Sequence, residues 1–363
     1  MKQWLETRQV FAHLARVHAD GARAALATVV RVHGSAYRHE GARLLVTAAG
    51  DSTGNVSGGC LEADVREVGQ RVISTGMPEL RSYCGGSDEV AAWDLGVGCD
   101  GEVEILIEPV ASPRLHERHA LAAEEPYVAV TLLRAAREYG ESPRLVLSRA
   151  GRFGTLGDAA LDQQVAAHAD GWRDAGESRT VALGDARLFV DVLIPPPRLV
   201  VVSAGDDARI LARMAAEVGF RVVVVDRRPG LLTRERFPDT IRLLESDAAT
   251  LTERLVLDAA SSAVVMTHDY ADDTAYLGAL LGTPARYLGM LGPRQRTDRI
   301  LARLSAAAPV DLSRIYGPVG LDIGTDGAEQ VALAVLAELL AVRSGRQPQS
   351  LRDRRAPIHA TGE

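Results

Sequence analysis

Apolar residues at Trp4, Phe11, Leu14 and Val17 recur every three or four positions, the spacing of one helical face, and predict a helix that opens the chain. The pattern then changes. Residues 24–32 read as a buried strand, His33-Gly34-Ser35 reads as a turn, and residues 43–47 read as a second strand that closes a hairpin. Over 60–74, Leu61, Val65, Val68 and Val72 share a helical face, so the stretch Gly54-Asn55-Val56-Ser57-Gly58-Gly59 feeds a helix N-terminus. Residues 102–108 alternate charged and apolar positions, and 127–133, 144–148 and 187–194 predict further strands. These elements make residues 1–194 a mixed α+β domain with its motif-bearing core at about 11–110.

Three consecutive prolines at 195–197 cannot continue a strand ladder and favour a stiff, extended connector. Beyond them short apolar runs at 199–202, 222–225, 241–244, 263–266 and 287–290 alternate with helical segments. Strands that read as continuous apolar runs between helices signal a parallel sheet covered on both faces. The fold class is therefore α/β, with a Rossmann-like C-terminal domain over 198–345 behind the proline linker and a tail, 346–363, expected to fray.

Composition narrows the possible partners. A chain of 363 residues with 47% hydrophobic and 25% charged residues fits ordinary globular domains, and a net charge of −7 offers no general attraction to a phosphate backbone, which argues against nucleic acid. The first residues mix charge into their apolar positions and lack the core of a signal peptide. The most apolar late segment, 331–342, is interrupted by Glu338 and is shorter than the roughly 20 residues a membrane span needs. Three cysteines, Cys60, Cys84 and Cys99, are too few for a disulfide framework, so a reducing cytoplasm is the expected compartment.

Candidate chemistry falls in both halves. In the first, Ser57-Gly58-Gly59-Cys60-Leu61-Glu62 sets a cysteine at the positive end of a helix beside two glycines, a setting for a reactive sulfur that could bind a soft metal, accept sulfur or attack an electrophile. Cys99 occupies a second Gly-rich stretch, Gly96-Val97-Gly98-Cys99-Asp100-Gly101; both cysteines could equally be small buried hydrophobes. No CxxC pair or histidine cluster supports zinc. In the second half, a dinucleotide fingerprint would read Gly-x-Gly-x-x-Gly/Ala, and the chain has Ser203-Ala204-Gly205-Asp206-Asp207-Ala208. Gly205 and Ala208 fit; Ser203 replaces the first glycine, and Asp206 and Asp207 bring negative charge to the diphosphate position. Asp226 follows about 20 residues later, where an acid would hold a ribose hydroxyl, with Arg227 and Arg228 beside it for a phosphate. Ligands of open parallel sheets sit beyond the strand ends, which singles out Thr267-His268-Asp269-Tyr270 and Gly289-Met290-Leu291-Gly292-Pro293-Arg294, the latter with glycines and a cation suited to an anion. A third loop, 317–324, has similar flexibility.

Taken together, Gly34 to Arg38 with Gly41-Ala42-Arg43, Gly54 to Glu62, Gly98-Cys99 with Gly101, Ala204 to Ala208, Val225 to Pro229, Arg236-Phe237-Pro238, Met266 to Tyr270, Tyr287 to Arg296 and Gly317 to Gly324 resemble the XdhC/CoxI family, the xanthine dehydrogenase accessory factors. The resemblance spans nearly the whole chain. It implies a cytoplasmic protein, without a turnover of its own, that binds the molybdenum cofactor (molybdopterin). Such a protein would cooperate with a cysteine desulfurase in adding the terminal sulfido ligand and deliver the cofactor to a molybdenum hydroxylase of the xanthine dehydrogenase type. It also implies a homodimer, and it makes Cys60 and Cys99 the candidates for handling molybdenum or sulfur. Ser203 stands where many relatives have glycine, and Asp100 where a second glycine often follows the cysteine. Ser57, Gly58, Gly59, Cys60, Glu62, Cys99, Gly205, Asp206, Asp226, Arg227, His268, Asp269, Gly292 and Arg294 are the expected cofactor-binding set. The competing readings are an NAD(P)-dependent oxidoreductase built on Gly205, Asp226 and the His268-Asp269 pair, and a scaffold that docks the hydroxylase with its Rossmann domain empty.

Overall fold

A computed structural model describes residues 2–34, 36–84, 102–133, 140–306 and 311–355. The chain divides into two compact units, Met1–Pro195 and Pro196–Glu363. Cys99 lies outside the described residues, as do Ser35 and the remainder of the Gly96–Gly101 stretch.

The first unit carries two five-stranded antiparallel sheets. Helix α1 (Lys2–Ala19) precedes β1 (Ala24–His33), β2 (Arg43–Thr47) and β3 (Ser52–Gly54), and α2 (Glu62–Thr75) precedes β4 (Glu79–Cys84) and β5 (Glu102–Pro109); the first sheet runs β3-β2-β1-β5-β4. The second sheet contains β6 (Tyr127–Leu132), β7 (Arg144–Ser148), β8 (Gly151–Thr155), β9 (Arg179–Leu183) and β10 (Ala186–Leu193), in the order β8-β7-β6-β10-β9, with α3 (Leu115–Ala122) and α4 (Ala159–Ala175) in its connections. Period-two alternation decides which layer each β1 residue joins. Leu26 packs with Phe11 and Leu14 of α1 and with Tyr127 and Ala129 of the second sheet, whereas Ala25 and Ala27 pack with Val65, Val68 and Val72 of α2. Val165, Ala169 and Trp172 put α4 on the second sheet.

A buried ionic contact joins the two sheets. The Arg43 guanidinium on β2 donates to the Asp191 carboxylate on β10, to Thr7 Oγ1 on α1 at 2.7 Å and to the Gly41 carbonyl at 2.8 Å. Nearby, Arg114 meets Glu108 at 2.9 Å and Arg144 meets Glu117 at 3.0 Å, so the charges taken from water are paired, as burial of charge requires.

The second unit is a six-stranded sheet in the order β13-β12-β11-β14-β15-β16, every pair parallel. Its strands are β11 (Arg198–Val202), β12 (Arg221–Asp226), β13 (Arg242–Glu245), β14 (Ser262–Val265), β15 (Tyr287–Met290) and β16 (Ile315–Tyr316). Numbered from β11, this is the 3-2-1-4-5-6 arrangement of a Rossmann fold, in which the strand order reverses between the first and fourth strands and leaves a crevice there. The connections carry α5 (Asp206–Val218), α6 (Leu251–Arg254), α7 (Tyr270–Leu281) and α8 (Arg294–Ser305), and α9 (Ala328–Ser344) follows β16. Val200, Val202, Val223, Val225, Val265 and Leu288 form one core with Leu277 and Ile300 of α7 and α8, while α5 lies against β11 and β12 and α9 against α5. The two-residue strand β16 was not expected from the sequence, being too short to carry a pattern. Glu338, the residue that interrupts the apolar run of α9, accepts hydrogen bonds from the Tyr287 hydroxyl and, at 3.0 Å, from the Gly320 amide, and so ties that helix to the 317–324 loop. Among the described residues no helix is long and apolar enough to cross a membrane.

Candidate functional site

In the first unit the Gly-rich stretch is a loop closed by its own side chains. Helix α2 begins at Glu62, so Cys60 sits on the loop two residues before the helix rather than on its first turn, a small correction to the expected helix start. Glu62 Oε1 accepts from the amides of Val56 at 3.2 Å and Ser57 at 2.9 Å, and Oε2 accepts from the Ser57 hydroxyl. The Ser57 oxygen in turn accepts from the amides of Gly59 and Leu61, both at 3.1 Å. Burial pushes the Glu62 carboxyl up, but the hydrogen bonds from the Ser57 hydroxyl and the Ser57 and Val56 amides outweigh it and hold the group below its ordinary value. Ser57 and Glu62 therefore build the loop, and the thiol is the group it presents. Cys60 is free and exposed. Gly58 lies against the Tyr37 ring, where a Cβ would stand 3.4 Å from Cγ, and Gly59 adopts φ +118° with nothing within 4 Å of where its Cβ would be. A glycine conformation and open space thus adjoin the sulfur. Cys84, at the end of β4, is a second free and exposed thiol.

In the second unit the residues after β11 have the course of a dinucleotide turn in which two of the backbone donors are already engaged. Ser203 is buried and holds φ +148°, a region that favours glycine. Its hydroxyl oxygen accepts from the Gly205 amide at 3.1 Å, and the Ala204 amide donates to Asp226 Oδ2 at 2.8 Å. Gly205 caps α5, and Asp206 and Asp207 occupy its first turn. Asp226 also accepts from the Arg228 amide and Nε at 2.9 Å and from Arg228 Nη2 at 2.8 Å. Burial raises its carboxyl, yet the Arg228 guanidinium and the Ala204 and Arg228 amides prevail and set it below the usual range. Asp226, expected to await a ribose, is engaged in closing the turn. Arg227 is paired with Asp272 at 2.9 Å, and Asp206 accepts from Arg236 Nη2 at 3.0 Å.

The expected His268-Asp269 pair is not one. Asp269 Oδ1 caps α7, accepting from the Ala271 and Asp272 amides at 2.9 Å, while His268, at φ +64°, brings Nε2 to 3.4 Å from Asp207 Oδ2. A cap needs a short acceptor at that position, and the helix start outcompetes the neighbouring imidazole. Gly292 takes φ +125° before α8, and Arg294, the first residue of that helix, is exposed. The arginine that the structure uses for an ion pair in this motif is Arg296, whose Nε and Nη2 donate to Asp273 Oδ2 at 3.0 and 2.6 Å. Asp273 is 1% exposed and also accepts from the Thr267 amide and hydroxyl. This link between the loop after β14 and α8 is not among the sequence expectations; its signal in the sequence is an acid in the first turn of α7 and an arginine two residues past Gly292-Pro293-Arg294. Where the strand order reverses, the carboxyl ends of β14 and β15, with α5 and α9, border a part-open cavity of about 270 Å³ lined by Leu211, Met266, Leu291, Val319 and Val335, with Asp207 as its charged group. Among the described residues no three His, Cys, Asp or Glu side chains converge as a metal site.

Comparison with known proteins gives matches in both units. Residues 199–339 match a family model described as the XdhC Rossmann domain, and residues 17–84 match one described as the XdhC and CoxI family. The chain is 32% identical over 335 residues to a Bacillus subtilis protein named as a probable xanthine dehydrogenase component, covering 89% of this chain and 94% of that protein. It is 24% identical over 337 residues to the molybdenum cofactor insertion chaperone PaoD of Escherichia coli, covering 91% and 87%. A crystal structure described as a xanthine dehydrogenase from Bacillus halodurans matches with a TM-score of 0.75 at 28% identity, over 94% of this chain and 98% of that one.

Proposed function

This chain belongs to the XdhC and CoxI family, and from that premise we propose that it is a maturation factor that binds the molybdenum cofactor and passes it to a molybdenum hydroxylase of the xanthine dehydrogenase type. The similarity to a relative named as a molybdenum cofactor insertion chaperone supports this role. Within the molecule, the observation that carries it is the Cys60 loop. An exposed thiol stands beside an open glycine on a turn fixed from behind by Ser57 and Glu62. When bound, the cofactor brings a phosphate, dithiolene sulfurs and a soft metal, and a thiolate is the protein ligand suited to such a metal. Cys60 is the residue that would meet molybdenum or sulfur. Ser57 and Glu62 would hold the loop in place, and Gly58 and Gly59 would allow close approach. Cys99 is proposed alongside Cys60 on the family resemblance alone. Assistance in sulfuration with a cysteine desulfurase, a homodimeric state and a cytoplasmic location complete the proposal.

The NAD(P)-dependent alternative finds less support in the second unit. Two amides of the fingerprint turn are spent on Ser203 and Asp226, and two carboxylates begin the helix where a diphosphate would lie. A direct test is activation of a cofactor-free xanthine dehydrogenase-type hydroxylase by the purified chain loaded during co-expression with cofactor synthesis. The wild type is expected to restore activity and Cys60→Ala to lose most of that restoration. Equal activation by both, or none by the wild type, would overturn the reading.

A further inference from the structure

The cavity of the second unit has an uncommon balance for its place in the fold. A dinucleotide site presents free backbone amides to a diphosphate at the helix N-terminus after the first strand. Here the Ala204 and Gly205 amides are engaged, and the nearest charge is negative. Otherwise the lining is largely apolar side chains, among them Leu211, Val264, Met266, Leu291, Val331 and Val335. A volume of about 270 Å³ is at the small end for ligand sites and suits a bicyclic ring rather than a dinucleotide.

A carboxylate is an acceptor only, with two oxygens that can take two parallel N–H donors. On an apolar wall it recognises a ring that presents adjacent N–H groups, and it repels phosphate. Asp207 has this setting: it lines the cavity, and His268 Nε2 stands 3.4 Å from its Oδ2. We propose that Asp207 determines the specificity of the second unit, so that the cavity takes a flat, uncharged heterocycle through a 2-amino-4-oxopyrimidine edge, as in a pterin or a guanine, and turns away the diphosphate of a dinucleotide. The choice of a pterin over other rings with this edge rests on the cofactor-binding function proposed above; the rejection of dinucleotides does not.

Calorimetric titration of the full chain with neopterin, guanosine, adenosine and NADH tests this. Neopterin or guanosine binds, while adenosine and NADH bind at least about tenfold more weakly, the scale of one lost charge-assisted hydrogen bond. Asp207→Asn, an isosteric change at a part-exposed site, weakens the bound ring by about tenfold or more, and Glu217→Gln, which removes an exposed carboxylate near the other end of α5, leaves it within about twofold. Preference for neopterin identifies a pterin as the source of the edge, and preference for guanosine a guanine compound. NADH binding as tightly as neopterin, no binding of either ring, or equal effects of the two substitutions would each overturn the proposal. A chain that retains the molybdenum cofactor while failing these titrations sinks this site and leaves the maturation role standing.

Discussion

Asp191→Ala removes the carboxylate that Arg43 reaches across the first unit. Asp191 has no exposed surface and the Arg43 side chain is 3% exposed, so the truncation leaves a guanidinium charge in the interior with only neutral partners, Thr7 and the Gly41 carbonyl, and a more distant Asp191 neighbour, Arg144, also loses its acid at 3.9 Å. Breaking one side of a buried ion pair costs about 3–5 kcal/mol, against a whole-domain stability of roughly 5–15 kcal/mol. At about 2–4 °C per kcal/mol for a domain of this size, the unit should melt roughly 6–20 °C lower. The pair itself is another matter, because removing both charges also removes the desolvation they require. Arg43→Met with Asp191→Leu should therefore recover at least about half of the loss seen in the single variant. Thermal unfolding followed by circular dichroism, with urea titration for ΔG, reads both effects. A melting point for Asp191→Ala within about 2 °C of the wild type would refute the reasoning, since it would mean that water already solvates the guanidinium.

Three further outcomes follow from the second unit. Asp226 has its carboxyl held below the ordinary value in the folded chain, so its contribution is present above the unfolded value of about 3.9 and is lost as pH falls through the lower folded one; Asp226→Asn should flatten the fall in stability over that acid range, and an unchanged acid-unfolding curve would count against it. Gly289→Ala would place a Cβ 2.6 Å from Val319 Cγ2 and 3.0 Å from Tyr287 Cε1, an overpacking worth about 1–3 kcal/mol by chemical denaturation. Asp269→Ala should cost about 1 kcal/mol through the lost cap of α7, and an unchanged stability by chemical denaturation would count against that cap.

Much of the architecture was legible because it depends on local pattern. The apolar runs of β11, β12, β14 and β15 are continuous because a parallel sheet is covered on both faces, and continuity survives in a single sequence. The charged and apolar alternation along β5 marked a strand, but not a half-buried one: Glu104 and Glu108 are buried with their apolar neighbours, where Arg187 and Arg114 pair with them. What escaped depends on contacts distant in sequence. Arg43 and Asp191 are 148 residues apart, and neither neighbourhood announces the other. At the candidate sites the residue types stand in the sequence, but their partners do not. Asp226 and Asp269 lie where ligand-binding acids would lie, yet each completes a backbone turn, because a short carboxylate beside free amides finds those donors first. Cys60 needed no distant partner to be noticed, since two glycines and a helix start in sequence define its setting.

The most direct measurement is molybdenum analysis and mass spectrometry of small molecules released from the chain purified after co-expression with cofactor synthesis, wild type beside Cys60→Ser. Because Cys60 is exposed and packs in no core, both proteins should fold alike. The wild type is predicted to release molybdopterin with molybdenum and the variant to carry little of the metal. A wild type without molybdopterin, or a Cys60→Ser chain as fully loaded as the wild type, would contradict the role assigned to this loop.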